Sequence, residues 1–283
     1  MFPLQLALVS ETKRVTHREL TKVSAALQKQ ISRDFEPIWE VPATIDAFIV
    51  LEDIPIGYWP IVVEADINQP GAAGIHEDQD GQPFALVEYT NSWSLTASHE
   101  CLEMLGDPWG SRFMAGPSIK PDQGRVEYLV EVCDPCETAQ VGYRVNGILV
   151  SDFYTPHYFD PVTSAGTRYS FTGALTAPRQ VLPGGYLSWH DPTTGHWWQQ
   201  IYFGQQPQFR DLGAPDQAGE NLRRFVDRQT EFRELAPELA VGLAADDPSM
   251  VAVTAARSSI EPATTSKAAM WRRQITALKR GEG

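Results

Sequence analysis

The stretch SLTASHECLEMLGDPWG, residues 94–110, sets His99, Glu100 and Glu103 in a His-Glu-x-x-Glu pattern between apolar residues and a Gly-Asp-Pro break. On a helix turning about 100° per residue, with His99 at zero, Glu103 falls at about 40°, Thr96 at about 60°, Asp107 at about 80° and Glu100 at about 100°. Leu95, Ala97, Ser98, Cys101, Leu102, Met104 and Leu105 fill the rest of the circumference, and the stretch holds no Lys or Arg. A narrow polar wedge on an apolar helix implies a helix mostly buried, with its polar residues facing a cleft.

Two carboxylates and an imidazole in one wedge repel or are desolvated unless something positive lies among them. A divalent cation meets that need. His99 and Glu103, at i and i+4, stand side by side and can reach one ion, zinc being suited to imidazole and carboxylate donors. Glu100, turned away from that pair, is where a general base would stand. The competing reading is an acidic cleft helix satisfied by hydrogen bonds alone.

Upstream, Thr16 and Glu19 form a capping-box pattern, and Leu20, Val23, Leu27, Ile31 and Phe35 then recur at helical spacing, which predicts a helix over 17–34. AFIVLE at 47–52 and IVVEA at 61–65 predict strands. AAGIH at 72–76 and PFALVEY at 83–89 predict a hairpin around the Asp80-Gly81 turn signal, leading into the helix over 94–105. Downstream, RVEYLVEV at 125–132, the 140–154 segment and the 185–203 segment predict short strands, the last a hairpin around 192–195. Residues 207–283 suggest a helix over 218–236, an Ala, Ser and Thr-rich linker and a final helical stretch, KAAMWRRQITALKR. The expected architecture is therefore α+β, divided as 1–155, a β-hairpin-rich extension over 156–206, and a helical or partly flexible appendage over 207–283, outside the core.

Of the net charge of −13, all lies in residues 1–206, which hold 25 acidic and 12 basic side chains against 11 of each in 207–283. That balance argues against nucleic acid or phosphate as a ligand of the first part. No segment reaches the roughly 18 apolar residues of a membrane span, and the N-terminal residues lack a secretory pattern. Cys101, Cys133 and Cys136 are too few for a disulfide framework. Cytoplasmic location, without membrane or nucleic-acid partners, is the expectation.

With these residues in place, the first 155 or so positions resemble the zincin metallopeptidases, in which a strand, a helix and further strands precede an edge strand lining the cleft, followed by the metal-binding helix. A variant group with a His-Glu-x-x-Glu helix, a following Asp-Pro and a later Glu-x-x-Asp is similar in the residues His99, Glu100, Glu103, Asp107-Pro108, Glu131 and Asp134. The resemblance implies a zincin-like mixed sheet with packed helices, zinc held by His99 and Glu103, Glu100 as catalytic base, and a peptide or protein substrate aligned by the strand at 83–89. The third ligand is left between Asp107 and Glu131. Glu103 in place of a histidine makes the site more negative, so it polarises water less. That departure keeps open a non-catalytic module of the same fold that recognises a protein partner.

Other features compete. Cys133-Asp-Pro-Cys136 has the spacing of half a zinc site or a redox pair, though a lone pair around proline ordinarily marks a turn. His76, beside Glu77, Asp78 and Asp80, reads as part of an exposed acidic turn or a cation cluster. His157 reads as a packed loop residue or a cleft residue. His190 and His196 flank a hairpin turn, where Trp197 and Trp198 read as core or as a binding surface.

Overall fold

The structure is a computed structural model describing residues 3–69, 71–79, 81–215, 222–230, 270–273, 275–277 and 279–280. Strand β1, Leu4–Ser10, is followed by helix α1, His17–Gln30, which starts at the capping box: Glu19 N–H donates to Thr16 Oγ1 at 3.3 Å, and Thr16 N–H donates to Glu19 Oε2 at 2.8 Å. The helix expected to run to 34 is α-helical only to Gln30. It widens into a π-turn over Ile31–Phe35 and resumes as α2, Glu36–Trp39. Pro37 has no N–H to donate back, so an unbroken α ladder cannot pass through it. The apolar stripe persists, with Leu20, Val23, Leu27, Ile31 and Phe35 all buried.

Strands β2 (Ala43–Ala47), β3 (Trp59–Glu64), β4 (Gly74–Gln79) and β5 (Gln82–Glu88) complete a five-stranded sheet in the order β2-β1-β3-β5-β4. All neighbours are parallel except β4, which runs antiparallel to β5. Two expectations change here. The strand placed at 47–52 lies at 43–47: its pairing with β1 ends at Leu8–Ala47, Ile49 beyond it is exposed and Leu51–Asp53 turns. The strand at 83–89 is interior, and the edge of the sheet is β4.

Helix α3, Trp93–Gly106, and α1 share one face of this sheet, where Leu6, Leu8, Ile61, Val63, Ala85 and Val87 join the main core. The opposite face, formed by Ala7, Val9, Val62, Phe84 and Leu86, packs against Trp271 and Ile275. Strands apolar on both faces demand a cover on each side. The final stretch, expected to lie outside the core, supplies part of that cover.

A second sheet is antiparallel, in the order β12-β11-β10-β7-β6, and joins β6 (Phe113–Pro117) and β7 (Arg125–Leu129) to β10 (Tyr186–Asp191), β11 (His196–Ile201) and β12 (Gln208–Gly213). Between them lies the small hairpin β8 (Tyr143–Val145) and β9 (Ile148–Val150), turned by Asn146 and Gly147, both at positive φ. Strands from both sides of positions 155 and 206 share the second sheet, so those expected boundaries do not separate layers. Helix α4, Leu222–Gln229, buries Phe225 and Val226 against Leu129 and Trp197. It too belongs to the packed body, and the rest of the helix expected over 218–236 lies outside the described residues, apart from Thr230. Among the described residues no helix is long and apolar enough to cross a membrane.

Candidate metal centre

Helix α3 is fixed at its buried side by a polar ring. Ser98 Oγ donates to Gln30 Oε1 at 2.7 Å, Ser151 N–H donates to Ser98 Oγ at 2.9 Å, and Gln30 Nε2 donates to the Ser151 carbonyl at 2.9 Å. The ring ties α1, α3 and the chain after β9 together with every group satisfied. On the sheet side, Gly74 lets β4 approach the helix: a Cβ there would lie 2.5 Å from Glu100 Oε1 and 2.6 Å from Thr96 Cγ2. At the helix end, a Cβ on Gly106 would lie 2.9 Å from Val132 Cγ1, so the segment after β7 passes close by.

Glu103, with no exposed surface, is the hub of the site. Its Oε1 accepts from the N–H groups of Cys133 and Asp134, each at 3.2 Å, and its Oε2 accepts from Arg223 Nη2 at 3.1 Å. His99 Nε2 lies 3.2 Å from Glu103 Oε2 and 3.2 Å from Asp134 Oδ1. From the other side, His76 Nδ1 lies 3.4 Å from Glu100 Oε2 and 3.6 Å from Glu103 Oε2. Arg223 Nη1 contacts both His76 Nε2 and Glu131 Oε2. Glu131 Oε1 is buried without a hydrogen-bond partner. Four groups of three side chains bring ligand atoms within 4.8 Å of one another: His99, Glu103 and Cys133; His76, Glu100 and Glu103; His99, Asp134 and Glu137; and Glu103, Glu131 and Asp134.

Burial governs the protonation states. It pushes Glu100 up to about 8 against the pull of the His99 charge, and Asp134 up to about 7, with the Glu103 charge adding to the rise. Burial also pulls His76 well below the imidazole range, and the Arg223 charge adds to that. At His99 burial opposes the charge, but the Glu103 carboxylate and the contacts with Asp134 and Glu103 raise it well above that range. At Glu103 burial is likewise overcome, chiefly by the His99 charge and hydrogen bond, then by Arg223, so it stays ionised. Burial keeps His76 neutral; its Nε2 faces Arg223 and, at 3.3 Å, the Asp107 carbonyl oxygen, and its Nδ1 faces Glu100.

Of the expected site residues, His99, Glu100 and Glu131 each share a metal-capable group with Glu103, but no one group holds all four. Asp107 does not join a metal-capable group among the described residues; its carboxylate accepts from Ser111 N–H at 3.1 Å and Arg112 N–H at 2.7 Å, bracing the turn after the helix. Cys133-Asp-Pro-Cys136 forms a single helical turn with both thiols buried and unbridged, and burial raises both, which keeps them protonated. His76 is not in an exposed turn: it lies within β4 with 1% of its surface exposed. His157 is exposed and pairs with Asp160, whereas His190 and His196 pair with Glu127 and Asp211 and not with each other. Trp197 is core and Trp198 partly buried. Sequence reading set His76 apart from the helix, in a turn or a cation cluster of its own, and did not single out Arg223. His76 alternates with Ile75 on a strand that must pass the helix, a period-two signal, but no local pattern marks Arg223.

The chain matches no protein-family model, no curated protein and no solved structure.

Proposed function

We propose that this chain is a zincin-like metallopeptidase, in which His99 and Glu103 hold a cation together with a carboxylate from Glu131 or Asp134, and Glu100 serves as general base. The observation that carries the reading is the pair of 3.2 Å separations from His99 Nε2 to Glu103 Oε2 and to Asp134 Oδ1. Donors 2.0–2.2 Å from a tetrahedral zinc stand about 3.3 Å from each other, so the spacing fits, and imidazole with carboxylates is a donor set zinc accepts. The buried, unpartnered Glu131 Oε1 is further support, since a polar atom in such a place calls for a partner. The order β1, α1, β2 to β5 and then α3, with β4 at the sheet edge, supports the zincin-like fold.

When bound, such an ion polarises a carbonyl and makes water acidic enough to attack it near neutral pH. The chain's own residues supply the rest. Glu100, on the same helix one position beyond His99, would be drawn to its ionised form by a cation bound beside it, and would then take the proton from the attacking water and return it to the leaving amine. His76 Nδ1, 3.4 Å from Glu100 Oε2, positions that carboxylate, and Gly74 keeps the strand close enough for it to do so. The outer edge of β4 suits an extended peptide laid alongside it as an added strand.

The test is metal analysis of the purified chain, followed by cleavage of a peptide library. One zinc per chain is expected, and Glu100→Gln retains it while losing cleavage. A second reading, a non-catalytic module of the same fold that binds a protein partner, is favoured by one observation: Arg223 already supplies positive charge among the carboxylates. Absence of zinc together with absence of cleavage selects that reading.

A further inference from the structure

Arg223 reaches the centre from α4, a helix some 120 residues beyond α3 in the chain. Its guanidinium meets three acceptor atoms from three separate elements: His76 Nε2 on β4, Glu103 Oε2 on α3 and Glu131 Oε2 just after β7. All three side chains are at least nine-tenths buried. The arrangement places a cation where an imidazole nitrogen and two carboxylates converge, and those donors suit a transition-metal ion as well as a guanidinium.

The match to the guanidinium is incomplete. A fork of two parallel N–H groups on one carboxylate would occupy both of its oxygens. Arg223 instead divides Nη1 between His76 and Glu131 and gives Nη2 to Glu103, so Glu131 Oε1 is left buried and unpartnered. The seat holds more donor capacity than its occupant uses.

We propose that the space bounded by His76, Glu103 and Glu131 is an exchangeable cation seat, with Arg223 as its resident ligand and a divalent cation of the zinc class as its competitor. This rests on the metal-centre reading above. Two cations cannot share the seat, because Glu103 Oε2, which Arg223 holds, is also the oxygen beside His99 Nε2 that the ion of the proposed centre would take, and the like charges would stand in contact. Entry of the divalent ion therefore expels the guanidinium. Arg223 follows Leu222 at the start of α4, whose Phe225 and Val226 are packed on Leu129 and Trp197, so the expelled side chain strains the hold of the helix on the second sheet. Arg224 with Glu77 and Arg223 Nε with Asp227 are further ion pairs at this point, and they belong to the helix that is disturbed. The C-terminal part thus acts as an internal competitor that sets the apparent metal affinity.

The experiment titrates zinc into the EDTA-stripped full-length chain and into Arg223→Ala and Arg223→Gln, and follows hydrogen exchange over 222–229 in the wild type. If the arginine-filled state dominates, removing it tightens zinc binding at least about tenfold. Zinc is expected to speed exchange over 222–229, and His76→Ala added to Arg223→Gln is expected to reverse the gain in affinity. Equal zinc binding by all three chains, with exchange over 222–229 unchanged, overturns the inference and leaves the metal centre standing, since the ion is then held by His99, Glu103 and Asp134 without displacing Arg223. Zinc bound by none of them overturns both. Where the substitutions prevent folding, the exchange measurement on the wild type decides alone: faster exchange on zinc addition supports the seat, and unchanged exchange overturns it.

Discussion

His76 Nδ1 and Glu100 Oε2 lie 3.4 Å apart across the contact between the edge strand and the central helix, and both side chains are buried. The pair brings a neutral imidazole from one element to a carboxyl group from another, and burial, the largest influence on each, acts against the charged form of both.

The first prediction concerns the glycine that permits this contact. Alanine at position 74 would put a methyl 2.5 Å from Glu100 Oε1 and 2.6 Å from Thr96 Cγ2, so the strand or the Glu100 side chain must move. Overpacking of this kind costs about 1–3 kcal/mol. Gly74→Ala is expected to lower the urea midpoint by a corresponding amount. Peptide cleavage should fall further than stability does, because the moved group is the proposed base; a variant with full activity would contradict that role.

The second prediction is a pH dependence. Glu100 is raised to about 8, chiefly by burial, from an ordinary value of 4.5. The folded chain therefore binds this proton more tightly than the unfolded chain, and the group's contribution is fully present below the unfolded value and lost as pH rises through the folded one. Glu100→Gln removes the titration while keeping the shape. The melting temperature of the variant minus that of the metal-free wild type is expected to climb from about pH 5 to about pH 9. A flat difference would mean that Glu100 is already ionised at neutral pH.

The third prediction separates structure from metal binding at Glu103. This carboxylate holds the amides of Cys133 and Asp134 as well as Arg223, so truncation takes one carboxylate from a buried arginine and leaves two buried N–H groups unpaired. Removing one partner of a buried ion pair costs about 3–5 kcal/mol. Glu103→Ala is expected to be destabilised by that order in the metal-free state, read by chemical denaturation. Metal dependence is then read from the increment zinc adds: present in the wild type, absent in the variant.

Much of this arrangement was legible from local patterns. The capping box, the stripe from Leu20 to Phe35 and the wedge on 94–105 each depend on residues a few positions apart, and helical periodicity encodes them directly. The hairpin before the helix was legible too, but which of its strands forms the edge was not, because strand order depends on partners far away in the chain. Asp107 shared the polar wedge with His99, yet the helix ends at Gly106, so the angular argument no longer applied one residue later. Arg223 was out of reach for the same reason as strand order: its partners lie 92 to 147 positions away, and nothing in LRRFVDRQ distinguishes an inserted arginine from a solvated one.

The last prediction follows from the two-sided sheet. The runs LALV, residues 6–9, and PIVV, residues 60–63, are apolar at consecutive positions, so β1 and β3 present hydrophobic side chains to both faces. One face has α1 and α3; the other has Trp271 and Ile275 over Ala7, Val9, Val62, Phe84 and Leu86. Trp271 has 1% of its surface exposed, and its ring lies 6.0 Å from that of Phe84. Replacing a buried tryptophan with alanine costs about 3–5 kcal/mol. Trp271→Ala is therefore expected to show a large loss in denaturation, and a chain ending at residue 269 is expected to aggregate, because it exposes a contiguous apolar face. A removable appendage would give the opposite result, a truncated chain that stays monodisperse with an unchanged urea midpoint, and light scattering with denaturation on the same sample separates the two.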